Sequence, residues 1–290
     1  MFEKMEIGKF VPLDKSWIIR MGILDLINGH DDIIRFLDNQ EDLGEDLVAL
    51  KRVAKNWNTD KDLDVGESGT LYRFVRFALW KLNKKNNIIR RGTLIDRDIC
   101  DNPDIINWSI SRLLGLDNQT SQWASASVLL GNTERLKDIP EKLRLSYEAV
   151  RHWKEQRSRN QCWIPIYDST IKRQAEAFIM IMNTGFSDFK AEHSEDACFA
   201  IIFDLIDPEE ASKKFPSIIG HETDRIKEIE EQLERYEKGE IIDSKDHRVV
   251  QAIVMRSLID GKNVHIANKD CVRKSWPKFW EFIDYIKSNV

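Results

Sequence analysis

Glycine, proline, cysteine and long apolar runs are all scarce in this sequence. Its 290 residues include 13 glycines and 7 prolines, well below the roughly 12% that these two residues provide in an average protein, so long flexible linkers are not expected. A membrane-spanning helix needs about 20 consecutive apolar residues, and no apolar run in this sequence approaches that length. Residues 1–15 carry charges throughout and no apolar segment, so no signal peptide is predicted, and we expect a cytoplasmic protein without a membrane partner.

The four cysteines are too widely spaced for the common metal and redox motifs. They stand at Cys100, Cys162, Cys198 and Cys271. No Cys-x-x-Cys pair occurs, so neither a zinc site nor a redox pair is predicted. Widely spaced single thiols in a chain of this size are typical of a reducing compartment.

An excess of positive charge is also missing. Lysine and arginine number 44 against 49 aspartate and glutamate residues, which gives a net charge of −5. Nucleic-acid-binding proteins usually carry a basic bias, so a nucleic-acid partner is not expected. A small anionic ligand is compatible with this composition, because a local group of cations can attract it within an acidic protein.

The sequence does contain a recurring polar cluster placed directly before an apolar segment. Seven such clusters follow the chain: Lys15-Ser16, Glu67-Ser68-Gly69-Thr70, Thr120-Ser121-Gln122, Ser194-Glu195-Asp196, His221-Glu222-Thr223-Asp224-Arg225, Asp246-His247-Arg248 and Arg273-Lys274-Ser275. The segments after them read as helices, for example 17–27, 71–82 and 249–258. Backbone N–H groups at a helix start are unpaired and favour anions, so added Lys, Arg, Ser or Thr is typical of a phosphate or carboxylate site. The sequence therefore predicts helix starts that bind a highly anionic ligand.

Further helices and a few short strands are predicted from periodicity. The helices are at 46–56, 105–116, 123–130, 143–156, 171–182, 197–206 and 277–287. The strands are at 88–91, 163–167 and 264–266. Short strands among helices indicate mixed α and β layers.

Read in order, the clusters resemble the signature motifs of one enzyme family. The matching segments are Lys15-Ser16-x-x-x-Arg20, Gly66-Glu67-Ser68-Gly69-Thr70-x-x-Arg73, Thr120-Ser121-Gln122, His221-Glu222-Thr223-Asp224-Arg225, Asp246-His247-Arg248 and Cys271-x-x-Lys274-Ser275-Trp276-Pro277. They resemble the family's Lys-Ser-x-x-x-Arg, Gly-Asn-(Ala/Ser)-Gly-Thr-x-x-Arg, Ser-Ser-Gln, Lys-Glu-(Ser/Thr)-Asp-Arg, Asp-His-Arg and Cys-x-x-Lys-(Ser/Thr)-aromatic-Pro motifs. The sequence is identified as a shortened and divergent member of the 5-enolpyruvylshikimate-3-phosphate synthases, within the enolpyruvyl transferase family.

This resemblance implies a fold and a reaction. The fold is of the α/β (α+β) class, with two domains built from repeated helix and strand units. Residues 15–163 would form the acceptor-side domain, and residues 1–14 with 164–290 would form a second domain that carries most phosphoenolpyruvate-binding residues. The implied reaction moves the enolpyruvyl (carboxyvinyl) group of phosphoenolpyruvate to the hydroxyl of shikimate 3-phosphate and releases phosphate by addition and elimination. No cofactor and no metal are implied, and a monomer is expected whose partners are its two small-molecule substrates.

The resemblance also assigns site residues by matching position. Those implied in catalysis are Lys15, Asp196, Glu222 and Lys274. Those implied in phosphoenolpyruvate binding are Lys15, Gly69, Arg97, Gln122, Arg225, Arg248 and Lys274. Those implied in acceptor binding are Ser16, Arg20, Thr120, Ser121, Gln122, Asp196 and His221. Asp196 would act on the acceptor hydroxyl, and Glu222 and Lys274 would manage the proton at the methylene carbon of phosphoenolpyruvate.

Simpler structural roles stay open for several of these residues. Asp196 and the pair Thr120-Ser121 suit helix capping. Glu222 suits compensation of the helix dipole in a first turn. A single arginine is often only a member of a surface ion pair.

Departures from the family motifs leave other functions open. His221 stands where the family has Lys, and Glu67 stands where it has Asn, so an enolpyruvyl transferase with a different alcohol acceptor is an alternative. The chain is also shorter than typical members of the family, and the missing length falls between Arg157 and Glu192. A catalytically degenerate protein that binds phosphoenolpyruvate is therefore a further alternative.

Overall fold

Contacts within the chain form two compact groups. The computed structural model describes residues 7–116, 120–132, 138–159, 166–218 and 224–289. One compact unit consists of Leu13–Ile166, and the other consists of Met1–Pro12 with Tyr167–Val290. We call them the N-unit and the C-unit.

The N-unit is mainly helical. Its elements are helices α1 (Lys15–Ile27), α2 (Asp32–Asp38), α3 (Glu45–Asn56), α4 (Gly69–Lys81), α5 (Ile110–Leu114), α6 (Gln122–Leu129) and α7 (Glu141–Arg159), strands β1 (Leu63–Asp64) and β2 (Ile88–Ile89), and 3₁₀-helices at Gly92–Leu94 and Pro103–Asn107. Helix α1 packs against α2, α3, α4 and α7. It is buried from Trp17 to Leu26, which explains why apolar residues occupy almost every face of it.

A buried carboxylate holds three helices of the N-unit together. Asp25 of α1 is 0% exposed. It accepts hydrogen bonds from the backbone N–H of Ile33 (2.9 Å), from Nε1 of Trp153 (2.8 Å) and from Nη2 of Arg157 (2.6 Å). Because a buried charge is stable only when it is paired and hydrogen-bonded, these donors fix α2 and α7 against the end of α1.

The C-unit is built around helix α12. Its elements are a 3₁₀-helix at Ile7–Phe10, helices α8 (Ser169–Thr184), α9 (Ala197–Ile202), α10 (Pro208–Lys214), α11 (Arg225–Lys238), α12 (His247–Ile259) and α13 (Phe279–Asn289), and 3₁₀-helices at Pro216–Ile218 and Lys269–Lys274. Helix α12 packs against α8, α9 and α11. Beside it, the rings of Trp276 and Phe282 stack with centroids 5.0 Å apart. Nε1 of Trp276 donates to the carbonyl of Phe10 at 2.7 Å, which satisfies the polar atom of this buried ring.

The strands are short and parallel. Strands β1 and β2 pair with Leu63 opposite Ile88, and Ile242 and Ile266 form an isolated parallel bridge. The predicted mixed α/β class is confirmed, because the described fold is mostly helical with a small parallel sheet.

The predicted strands are only partly confirmed as strands. The prediction at 88–91 is confirmed at its first two residues, in β2. In place of the strand predicted at 264–266, the structure has an isolated β-bridge at Ile266. Most of the prediction at 163–167 lies outside the described residues.

Two predicted helices are shorter than the sequence suggested. The prediction at 105–116 is divided near Ser109, whose side chain caps the start of α5. The prediction at 197–206 ends at Ile202, and Asp204 just beyond it adopts a left-handed φ of 56°, which a continuing helix does not allow. No described helix combines the length and the apolar character needed to cross a membrane.

Candidate functional site

Most of the polar clusters lie directly at helix N-termini. Helix α1 begins at Lys15, α4 at Gly69, α6 at Gln122, α9 at Ala197, α11 at Arg225 and α12 at His247. The side chains of Asp14, Ser68, Asp224 and Asp246 cap four of these helices by accepting backbone N–H groups. The cations in the first turns therefore stand beside N–H groups that favour an anion.

Two arginines of the N-unit converge at the start of α4. A Cβ placed on Gly69 would lie 3.2 Å from Nη1 of Arg73 and 3.2 Å from Nη1 of Arg97. Nη1 of Arg73 also donates to Oε1 of Gln122 at 3.1 Å, and Nε2 of Gln122 donates to Oγ1 of Thr70. We call these five residues the α4 cluster. Two positive groups close together repel each other, so an anion bound between them is stabilised.

The α4 cluster joins three predicted site residues. Gly69, Arg97 and Gln122 are all predicted to bind phosphoenolpyruvate, although they come from different parts of the N-unit. Gly69 has no Cβ, which leaves room for both guanidinium groups at the helix start. Arg73, a motif residue with no predicted site role, lies at the centre of the cluster.

The predicted residues at the start of α1 make a second set of contacts in the N-unit. Nζ of Lys15 forms an ion pair with Asp46 at 3.1 Å. Arg20 is buried, donates to Oγ of Ser146 at 2.9 Å, and donates to the carbonyl of Ser16 at 2.7 Å. Burial lowers the pKa of Arg20 to about 10, against the attraction of Asp14, so Arg20 is still positively charged at neutral pH.

Thr120 and Ser121 make local contacts around the start of α6. Oγ1 of Thr120 accepts a hydrogen bond from the backbone N–H of Gln122 at 3.2 Å. Oγ of Ser121 donates to the carbonyl of Lys142 at 3.2 Å. These contacts position Gln122 of the α4 cluster, and the acceptor-binding roles of Thr120 and Ser121 stay predictions.

The C-unit contains a cluster of paired charges at the start of α12. Nε of Arg225 donates to Oδ2 of Asp246 at 2.6 Å, and Oδ1 of Asp246 accepts the backbone N–H of Arg248 at 2.9 Å. Nη2 of Arg248 donates to Oε2 of Glu195 at 3.0 Å. We call Glu195, Arg225, Asp246 and Arg248 the α12 cluster. Burial alone would lower the pKa of Arg225, but the attraction and hydrogen bond of Asp246 raise it above its ordinary value.

Asp196 is buried and strongly hydrogen-bonded. It is 0% exposed and accepts from Nη2 of Arg173 (2.9 Å), Nε2 of Gln174 (3.1 Å), and the backbone N–H groups of Glu192 (2.9 Å) and His193 (3.2 Å). Its side chain does not cap the helix α9 that follows it. These donors fix the carboxylate in one orientation, and its predicted role toward the acceptor hydroxyl stays a prediction.

Cys198 of α9 lies beside the α12 cluster and is buried. Burial, and after it the negative charge of Asp246, raise the pKa of Cys198 to about 12. The thiol is therefore uncharged at neutral pH, which makes it a poor nucleophile.

The remaining predicted residues are placed less completely. Lys274 ends the 3₁₀-helix Lys269–Lys274, before α13. His221 and Glu222 lie outside the described residues.

Five charged residues at these sites are absent from the predicted set: Asp46, Arg73, Arg173, Glu195 and Asp246. Arg73 and Asp246 stand within the matched motifs, which indicated their segments but gave them no site role. Asp46 and Arg173 stand outside every polar cluster, so no sequence pattern indicated them. Glu195 lies directly before Asp196 in a polar cluster, and that position is a sequence signal for it.

One comparison with known proteins agrees with the family resemblance over a short segment. A stretch of 43 residues is 44% identical to the 3-phosphoshikimate 1-carboxyvinyltransferase of Clostridium perfringens (strain 13 / Type A). The match covers 15% of this chain and 10% of that protein's length. No protein-family model matches the chain, and no solved structure matches it. The chain is therefore similar to a carboxyvinyltransferase in one short segment.

Proposed function

We propose that this protein transfers the enolpyruvyl group of phosphoenolpyruvate to the hydroxyl of shikimate 3-phosphate and releases phosphate. The observation that carries the proposal is the convergence of Arg73 and Arg97 on the start of α4, 3.2 Å from the Cβ position of Gly69. Two guanidinium groups at one helix N-terminus form a strong site for a phosphate or a carboxylate. The short similarity to a carboxyvinyltransferase supports this choice of reaction.

Phosphoenolpyruvate requires several cations, because it carries a phosphate and a carboxylate. We assign Arg97, Arg225 and Arg248, together with Lys15 and Lys274, to these two groups. Arginine suits them because its planar fork matches their oxygens. We further propose that the N-unit is the acceptor-side domain and that the C-unit carries most of the phosphoenolpyruvate-binding residues.

In the proposed reaction, the acceptor hydroxyl attacks C2 of phosphoenolpyruvate while C3 gains a proton. This forms a C–O bond and gives a tetrahedral ketal phosphate. The hydroxyl proton passes to a base, assigned to Asp196, and the proton at C3 comes from Glu222 or Lys274. In the second step C3 loses a proton, the C2–O bond to phosphate breaks, and the enol ether and inorganic phosphate are released. The cations stabilise the charge that develops on the leaving phosphate.

A different acceptor is the second candidate, and the surroundings of Glu67 favour it. Oγ1 of Thr93 donates to Oε2 of Glu67 at 3.4 Å and accepts from Nη2 of Arg97 at 3.0 Å. The carboxylate of Glu67 is therefore linked through the Thr93 hydroxyl to Arg97, which we assign to phosphoenolpyruvate. Its charge opposes a highly anionic acceptor and favours a less charged alcohol.

The proposed reaction predicts phosphate release that depends on two substrates. Purified protein is expected to release inorganic phosphate only when phosphoenolpyruvate and shikimate 3-phosphate are both present, and mass spectrometry should detect the enolpyruvyl ether. Parallel assays with uncharged alcohols test the second candidate. Turnover with such an alcohol, and none with shikimate 3-phosphate, would overturn the first proposal and support the second.

Adding one methyl group at the α4 cluster is expected to weaken phosphoenolpyruvate binding about tenfold, since small displacements of positioning groups are costly. In Gly69→Ala the new Cβ would lie 3.2 Å from both Arg73 and Arg97, which is closer than most real contacts and requires them to shift by a few tenths of an ångström. Stability should not fall, because alanine favours a helix more than glycine does. Isothermal titration calorimetry and urea unfolding measure the two effects.

The matched control is Gly115→Ala in the same unit. Among the described residues, its Cβ would meet only the carbonyl of Arg112, at an ordinary 3.6 Å, so phosphoenolpyruvate affinity should not change. Unchanged affinity in Gly69→Ala as well would show that the α4 cluster does not contact this ligand.

A further inference from the structure

The two terminal nitrogens of the buried Arg248 guanidinium differ in their hydrogen bonding. The side chain is 4% exposed, and Nη2 donates to Oε2 of Glu195 at 3.0 Å. Among the residues that the structure describes, no atom accepts a hydrogen bond from Nη1. A buried charged donor without an acceptor is costly. Nη1 can therefore donate to a ligand without first breaking a protein contact.

Glu195 differs from the other carboxylates at this site in its exposure. The side chain of Glu195 is 45% exposed, against 1% for Asp246 and 0% for Asp196. Asp246 is fixed both by Arg225 and by the backbone N–H of Arg248. Moving a half-exposed glutamate into water costs much less than moving a fully buried aspartate, because the exposed side chain is already partly solvated. Glu195 is the carboxylate of this group that a ligand can displace.

We propose that Glu195 is an internal competitor for the substrate anion at Arg248, and that it sets the affinity and specificity of this subsite. A ligand oxyanion replaces Glu195 on Nη2 and also accepts from Nη1, which gives the two-pronged contact that arginine favours. Arg225 lies within electrostatic reach of Glu195, so an anion at the same place is attracted by both guanidinium groups. The inference rests on the proposed function in taking phosphoenolpyruvate as the source of the anion.

The proposal predicts that removing one negative charge tightens binding. In Glu195→Gln, phosphoenolpyruvate should bind about tenfold more tightly. This is the effect expected if Glu195 occupies Arg248 about 90% of the time in the wild type and the substitution removes that competition. Calorimetry with pyruvate and with inorganic phosphate, each tested alone, identifies the group that competes. Tightening for pyruvate indicates the carboxylate, and tightening for phosphate indicates the phosphate. Either result supports displacement of Glu195.

The matched control is Glu192→Gln. Glu192 is 62% exposed and pairs with Arg173 rather than Arg248, so the variant removes the same charge nearby, and its affinity should change by less than about twofold. Equal tightening in both variants would show a general effect of charge and would overturn the proposal. Unchanged or weaker binding in Glu195→Gln would also overturn it, because Glu195 would then be only a supporting partner of Arg248.

A third variant covers the case in which Glu195→Gln does not fold. Glu195→Asp keeps the charge but shortens the side chain, so its contact with Nη2 should weaken and affinity for phosphoenolpyruvate should rise by a smaller factor. Wild-type affinity in Glu195→Asp would count against displacement. The wild type and the three variants are also assayed for turnover with shikimate 3-phosphate. If Glu195→Gln binds phosphoenolpyruvate more tightly but none of the proteins shows turnover, the proposed function is contradicted and the role of Glu195 is still supported.

Discussion

Replacing Arg248 by alanine is expected to lower kcat/KM for phosphoenolpyruvate by about 100-fold or more. Truncating one partner of a buried, hydrogen-bonded charge pair typically costs about 2–5 kcal/mol, and each 1.4 kcal/mol is about a factor of ten. Arg248 is 4% exposed, so water cannot readily take the place of its contacts. Steady-state phosphate release measures the activity, and calorimetry measures phosphoenolpyruvate binding independently of turnover.

Arg256 on the same helix provides the control for this prediction. Its side chain pairs with Asp204 at 2.8 Å and with Asp260 at 3.1 Å, and it belongs to neither cluster. Arg256→Ala should keep phosphoenolpyruvate affinity within about twofold of the wild type. Arg248→Lys keeps the charge and loses the planar fork, so its activity should lie between those of the wild type and Arg248→Ala. Equal losses in Arg248→Ala and Arg256→Ala would indicate general damage to α12 and would contradict the assignment.

Replacing Asp246 by alanine is expected to lower the free energy of unfolding by about 3–5 kcal/mol, because breaking a buried pair leaves an uncompensated charge. The charge left behind is that of Arg225, which is paired at 2.6 Å and is only 9% exposed. Loss of the cap on α12 adds about 1 kcal/mol. Urea unfolding followed by far-UV circular dichroism gives the difference.

Two further variants separate the ion pair from the cap. Asp246→Asn can still accept the backbone N–H of Arg248 but cannot neutralise Arg225, so it should keep the cap and lose the pair. Asp207→Ala removes a cap of the same type, at the start of α10, and should cost only about 1 kcal/mol. If Asp246→Ala is no more destabilising than Asp207→Ala, the pair with Arg225 contributes little to stability.

Variants of Arg248 and Asp246 separate binding from folding at two residues of the α12 cluster. Asp246 accepts from Arg225 and from the backbone of Arg248, so it holds the α12 cluster in place. Arg248 instead presents its side chain to Glu195, which is half-exposed. A loss of activity in Arg248→Ala with normal stability, beside a loss of stability in Asp246→Ala, would assign ligand binding to one residue and structural support to the other.

Helices at which a polar cluster is followed by a strong apolar period were predictable, and two short helices were not. Helices α1, α4 and α12 begin at polar clusters and continue with apolar residues, so both signals agree. Helices α2 and α10 were missed because each has 7 residues, too few to establish a period. The strand β1 was missed for the same reason, since it has 2 residues and forms only because β2 pairs with it.

Helix starts, and the cations and hydroxyls that stand at them, can be read from the sequence, because capping and periodicity are local properties. Which of those groups meet depends on the tertiary fold. Arg248 and Glu195 are separated by 53 residues, and Arg73 and Gln122 by 49, so no local pattern can relate them. Packing of the helix cores brings these side chains together, and burial then determines which charge pairs are fixed and which a ligand can displace.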